Sequence, residues 1–110
     1  MLGIFKQEKQ FKDIDAAEFA ELMKDKNTVI LDVRSPQELG EGAVPGHQMI
    51  SLFDPSFQAK VAELDKSKTY LVYCRSGNRS KTSCSMMANL GFDHLYNLKG
   101  GIHAWNRVAS

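Results

Sequence analysis

The sequence predicts an α/β layer fold, with a mainly parallel central sheet of about five strands and helices packed on its faces. Three observations carry that expectation. Two short apolar runs, Thr28-Val29-Ile30-Leu31-Asp32-Val33 and Thr69-Tyr70-Leu71-Val72-Tyr73, have the nearly continuous hydrophobicity of strands buried on both sides. Segments with helix-start residues alternate with the strand-like runs, the pattern of β-α-β units. The length, 110 residues, fits one domain with its own core. No repeat or low-complexity tract interrupts it.

Taken in order, Phe11-Lys12-Asp13-Ile14 reads as a short strand or extended lead-in. Asp15 is an N-cap with Glu18 three residues on, and Ala16, Phe19, Ala20, Leu22 and Met23 give the following helix an apolar stripe that ends before Asn27. The Thr28–Val33 strand follows. Ser35-Pro36-Gln37-Glu38 starts a second helix with a cap, a proline at the first position and a glutamate at the third; Gly40 and Gly42 keep it short. Val44-Pro45-Gly46 is a turn and His47–Ser51 a weaker strand. Asp54-Pro55 opens a third helix, with Phe57, Val61 and Leu64 on one face. After the Thr69–Tyr73 strand and a polar loop, Ser80–Leu90 reads as a fourth helix closed by Gly91. Leu95–Leu98 is a strand, and Gly100-Gly101 leads into a last amphipathic turn or helix with Ile102 and Trp105 inward.

Charge is balanced, 14 Lys and Arg against 13 Asp and Glu, so no net basic field would draw the chain to nucleic acid or a membrane surface. No apolar stretch has the length of a membrane span, and the apolar run at Met1–Phe5 is too short for a signal peptide. Two cysteines separated by a helix make a bridge between them unfavourable, and free thiols suit a reducing compartment. The expectation is a cytoplasmic protein, nearly complete from its initiating Met. His47, His94 and His103 have no metal-ligand spacing, so packing or surface roles are expected and neither metal nor cofactor is called for.

The chemistry concentrates in Cys74-Arg75-Ser76-Gly77-Asn78-Arg79-Ser80, between a strand end and a helix start. The thiolate is the reactive form of cysteine, and helix N-termini and nearby arginines lower its pKa from about 8.5 to roughly 3.5–7.5. Backbone N–H groups in such a loop bind anions. On these grounds the loop could hold sulfur or phosphate. In a parallel sheet the ligand sits beyond the C-terminal strand ends, where both Cys74 and Asp32-Val33-Arg34 fall. Cys84, mid-helix beside Met87 and Ala88, reads as a small core residue. Trp105 reads as a core anchor.

The ordered set of motifs resembles the rhodanese family. Leu31-Asp32-Val33-Arg34-Ser35-Pro36-Gln37-Glu38 is similar to the family's first motif and Val44-Pro45-Gly46 to its proline-glycine turn. Tyr73 to Ser80 is similar to the active-site loop; Gly91-Phe92, Tyr96-Asn97-Leu98 and Gly100-Gly101-Ile102 with Trp105 resemble the C-terminal signature. The likeness covers residues 11–110, leaving 1–10 as a short lead-in. One departure is visible: the family usually has a glycine-histidine pair before the proline-glycine turn, and here Gly42 is followed by Ala43 while His47 follows the turn.

The resemblance implies a three-layer rhodanese fold and a sulfurtransferase. Cys74 would take the outer sulfur of a donor such as thiosulfate or a persulfide, becoming a persulfide itself, and pass it to cyanide or a thiol. Arg75, Ser76, Gly77, Asn78, Arg79 and Ser80 would surround the charged sulfur, with Gly77 giving the curvature and the two arginines attracting the donor and stabilising the leaving sulfite. Asp32 and Arg34 would order the loop from behind. Cysteine phosphatases and arsenate reductases of this fold carry a longer loop, placing the arginine where Ser80 stands; here it comes at Arg79, which favours a cradle for one sulfur atom. The implied partners are a small-molecule sulfur donor and a thiol or cyanide acceptor. The alternatives are a persulfide relay or interaction module serving a protein partner and, ranked below it, a phosphatase or arsenate reductase.

Overall fold

Five strands form one sheet in which every neighbouring pair is parallel. The structure, a computed structural model, describes residues 10–109. In chain order the elements are β1 (Lys12–Ile14), α1 (Ala16–Leu22), β2 (Thr28–Asp32), a 3-10 helix (Pro36–Glu41), β3 (Gln48–Met49), α2 (Phe57–Ala62), β4 (Thr69–Tyr73), α3 (Asn78–Asn89), β5 (Leu95–Leu98) and α4 (Gly101–Ala109). The sheet order is β1-β5-β4-β2-β3. The expected mainly parallel α/β fold is therefore an entirely parallel one.

Alternation along β4 divides the core. Tyr70, Val72 and Cys74 face a cluster with Phe57 and Val61 of α2 and Cys84 and Met87 of α3. Leu71 and Tyr73 face the other side, with Phe19 of α1 and Ile102 of α4. All of these side chains are at most 2% exposed, so the two central strands are covered on both faces, as their unbroken apolar runs require.

Some boundaries differ from the sequence expectation, each for a local reason. Asp15 caps α1 as expected, its Oδ1 accepting from the Glu18 N–H at 2.9 Å. The Asp54-Pro55 signal makes a turn instead of a helix start: Asp54 accepts from the Ser56 and Phe57 N–H groups, and α2 begins only at Phe57. The His47–Ser51 strand shrinks to two paired residues at the sheet edge. α3 begins at Asn78, ahead of the expected Ser80, because its N-cap is Gly77 in the left-handed region (φ 107°), which supplies no side-chain oxygen to announce it. Trp105 is only half-buried, meeting the edge of Phe19 at 6.2 Å between ring centroids.

A buried ion pair fixes the C-terminal end of β2. Arg34 and Asp32 are both fully buried, with Arg34 Nη2 2.8 Å from Asp32 Oδ2 and Nε 2.9 Å from Oδ1. The Tyr73 hydroxyl donates to the same carboxylate at 2.8 Å and accepts from the Val44 N–H at 3.2 Å. The remaining Arg34 donors reach the Glu38 and Gly42 carbonyls at 3.2 and 3.0 Å, pinning both ends of the 36–42 segment. With every strand running the same way, this segment lies at the same sheet edge as Cys74.

Candidate active site

Cys74 follows β4 directly, and three donors converge on its sulfur. Sγ accepts from the Gly77 N–H at 3.1 Å, the Ser80 N–H at 3.4 Å and the Ser80 hydroxyl at 3.3 Å, whose one proton is shared with the Gly77 carbonyl at 3.1 Å. The left-handed conformation of Gly77 lets the chain turn back so that both amides aim at one atom. The N-terminus of α3 adds its positive dipole end. Burial is the largest influence on the Cys74 thiol and pushes its pKa up; the hydroxyl and N–H of Ser80 and the N–H groups of Gly77 and Ser76 together outweigh it, leaving the pKa below the ordinary thiol value. The side chain is only 1% exposed.

The two loop arginines are engaged by carboxylates of the 3-10 helix. Arg79 makes a two-pronged pair with Glu38, Nη1 to Oε2 at 2.8 Å and Nη2 to Oε1 at 2.7 Å. Glu38 Oε2 also accepts from the Ser35 N–H at 2.9 Å. The hydrogen bond from Arg79 comes first in holding the Glu38 carboxyl down at about 2. Arg75 Nε donates to both Glu41 oxygens at 3.0 and 3.1 Å in a solvent-exposed pair. The Phe53 ring lies 5.5 Å from the Arg79 guanidinium carbon, itself 69% exposed.

The back of the loop rests on the start of α4. The Ile102 N–H donates to the Cys74 carbonyl at 2.9 Å. Gly101, at φ 57°, sits so close that a Cβ there would lie 2.4 Å from the Cys74 carbonyl oxygen and 2.3 Å from that of Arg75. Only glycine fits.

The rhodanese-like domain model matches residues 15–108. The chain belongs to the rhodanese family. A sulfurtransferase of Allochromatium vinosum is 31% identical to it over 96 residues, covering 86% of this chain and 88% of the relative. Among solved structures, a rhodanese-related protein of Thermoplasma volcanium superposes with a TM-score of 0.76 at 31% identity, covering 88% of this chain and 92% of that one. A rhodanese-like domain protein of Staphylococcus aureus gives 0.74 at 27% identity, with 86% and 90% covered. This rhodanese is thus a member of a sulfurtransferase family with a rhodanese-like fold.

Against that background, the site residues expected from the sequence fall into three groups. Cys74, Gly77 and Ser80 come together at the sulfur, and Ser76 adds its N–H. Asn78 and the Ser76 side chain are exposed, and neither appears among the side chains bonded to the sulfur. Asn78, Arg79 and Ser80 form the first turn of α3 and so are not loop residues. Asp32 and Arg34 do not touch the loop; they reach it through the 36–42 segment, whose Glu38 grips Arg79. Cys84 lies buried in the core, where burial pushes its thiol far above the ordinary range.

Sequence reasoning did not place Glu38, Glu41, Phe53 or Gly101 beside the Cys74 loop, although Glu38 and Gly101 fall within motifs it named. Glu38 was read as a helix-start residue and as the end of the first family motif, with no role at the loop. A usable signal did exist: two arginines in one loop need anionic partners, and the other long loop at the same sheet edge carries Glu38 and Glu41.

Proposed function

We propose that this rhodanese moves sulfane sulfur through a persulfide on Cys74. The supporting observation is the convergence of the Gly77 N–H, the Ser80 N–H and the Ser80 hydroxyl on one sulfur at 3.1–3.4 Å. These donors stabilise a charged sulfur without reorganising. In the first step the Cys74 thiolate attacks the outer sulfur of the donor. A new S–S bond forms, the donor's own bond to that sulfur breaks, and the leaving group departs with the electron pair, as sulfite when the donor is thiosulfate. In the second step an acceptor thiolate or cyanide attacks the outer sulfur of the persulfide, and Cys74 leaves as the thiolate. The donors around Sγ lower the thiol pKa and so favour the attacking thiolate without a dedicated general base.

A phosphatase reading lacks this support. The donors meet at a single atom, and both terminal nitrogens of Arg79 are occupied by Glu38. The test is intact-mass spectrometry after incubation with a sulfane-sulfur donor. The expected result is a gain of one sulfur atom, lost on adding a thiol, and absent from a folded Cys74→Ser variant. A variant that still gains sulfur would place the nucleophile elsewhere.

A further inference from the structure

The rim of the Cys74 cradle carries its own charge pattern, and it is not that of a cationic anion trap. Arg79 is held by Glu38 in a two-pronged, largely buried pair, its side chain 23% exposed and that of Glu38 19%. Arg75 gives its Nε to Glu41. Once Cys74 is ionised, the two arginines face three anions. Lys81, the next cation on α3, stands two residues beyond Arg79, about 200° around the helix from it. A dianion entering this rim meets repulsion from Cys74, Glu38 and Glu41, and can recruit Arg79 only by displacing a well-formed carboxylate.

An apolar side chain points the same way. Phe53, 69% exposed, lies over the Arg79 guanidinium, 5.5 Å from ring centroid to guanidinium carbon. Exposed aromatic surface over a paired guanidinium suits a flat apolar body better than a small hydrated anion.

Building on the persulfide reading above, we infer that this site takes sulfur from a donor of low charge with an apolar body, an aromatic thiosulfonate or organic persulfide, in preference to the thiosulfate dianion. Glu38 and Glu41 set that preference as positioning residues. Each step balances. The Cys74 thiolate takes the outer sulfur of the thiosulfonate and a sulfinate leaves with the electron pair; from a persulfide, a thiolate leaves.

The test compares benzenethiosulfonate with thiosulfate, two donors that lose sulfur from an oxidised sulfur centre but differ in charge and apolar area. Initial rates with a thiol acceptor should give the wild type at least about tenfold higher kcat/KM for benzenethiosulfonate. Glu41→Gln should lower KM for thiosulfate about threefold to tenfold and change kcat little. Salt gives a readout that a merely structural role would not move. Raising ionic strength should lower the wild-type KM for thiosulfate by screening repulsion, and raise it in the Glu41→Gln variant, where attraction to Arg75 dominates. Phe53→Ser should raise KM for benzenethiosulfonate by a clearly larger factor than KM for thiosulfate. Glu41 and Phe53 are exposed, so both variants should fold. A wild type that prefers thiosulfate, or a Glu41→Gln variant with the wild-type salt response, would overturn this inference and leave the persulfide reading intact. Absence of sulfur uptake from either donor would overturn both.

Discussion

Ser80 gives the Cys74 sulfur two of its donors, an N–H and a hydroxyl, and only the hydroxyl can be deleted by substitution. Ser80→Ala should therefore raise the Cys74 pKa, because one hydrogen bond to the charged form is lost. The sign follows from which form is held: the hydroxyl stabilises the thiolate, so removing it shifts the acid limb of Cys74 reactivity to higher pH. Alkylation rate against pH measures this directly, and an unmoved midpoint would show the hydroxyl to be idle. Cys84 adds no signal, being buried with its thiol held in the protonated form. At this scale the place of Cys74 was legible in the sequence, because a cysteine between an apolar strand and a helix start is a local pattern. The partners of the arginines were not legible: Arg75 and Arg79 meet Glu41 and Glu38, which lie 34 and 41 residues away along the chain.

The 3-10 helix, α3 and α4 lock the loop from two sides. Glu38 ties the first to the second, and the Arg79 hydrogen bonds hold its carboxyl down at about 2, below the roughly 4.3 of an unperturbed glutamate. A carboxylate depressed in the folded state contributes its stabilisation above the unfolded value and loses it as pH falls toward the folded one. Urea unfolding should show about 1–2 kcal/mol of stability disappearing between those two pH values, and Glu38→Gln should lack that limb while being less stable by a similar amount at neutral pH. Equal pH profiles for the two proteins would refute the assignment. On the opposite side, Gly101→Ala should cost about 2–4 kcal/mol, from a left-handed backbone and a Cβ inside contact distance of two carbonyls. Thermal unfolding would register this as a lower Tm, together with slower Cys74 alkylation as the loop is pushed out of shape; an unchanged Tm would mean that α4 can yield. The helices themselves were legible where side chains cap them, as at Asp15, and misplaced where a glycine does so, as at Gly77.

For the molecule as a whole, the Asp32–Arg34 pair joins sheet, 3-10 helix and loop. It holds the end of β2, receives the Tyr73 hydroxyl from β4 and anchors the Glu38 and Gly42 carbonyls. Asp32→Ala strands a fully buried guanidinium and should cost about 3–5 kcal/mol, a large share of the roughly 5–15 kcal/mol that holds a typical domain together. Denaturant unfolding measures it, and a loss below about 1 kcal/mol would mean that water reaches Arg34. The α/β class was readable from the alternating pattern of strands and helices. The order of the strands was not, because it depends on pairings between distant segments: β1 joins the sheet only through β5, with Asp13 accepting from Asn97 at 3.0 Å across 84 residues. That insertion has a consequence for biosynthesis. Of the five described strands the one translated last, β5, sits inside the sheet, so a growing chain cannot close this core until residues 95–98 have left the ribosome. Cys74 emerges earlier, before Ile102 is there to hold its carbonyl, so its thiol leaves the ribosome without its finished cradle.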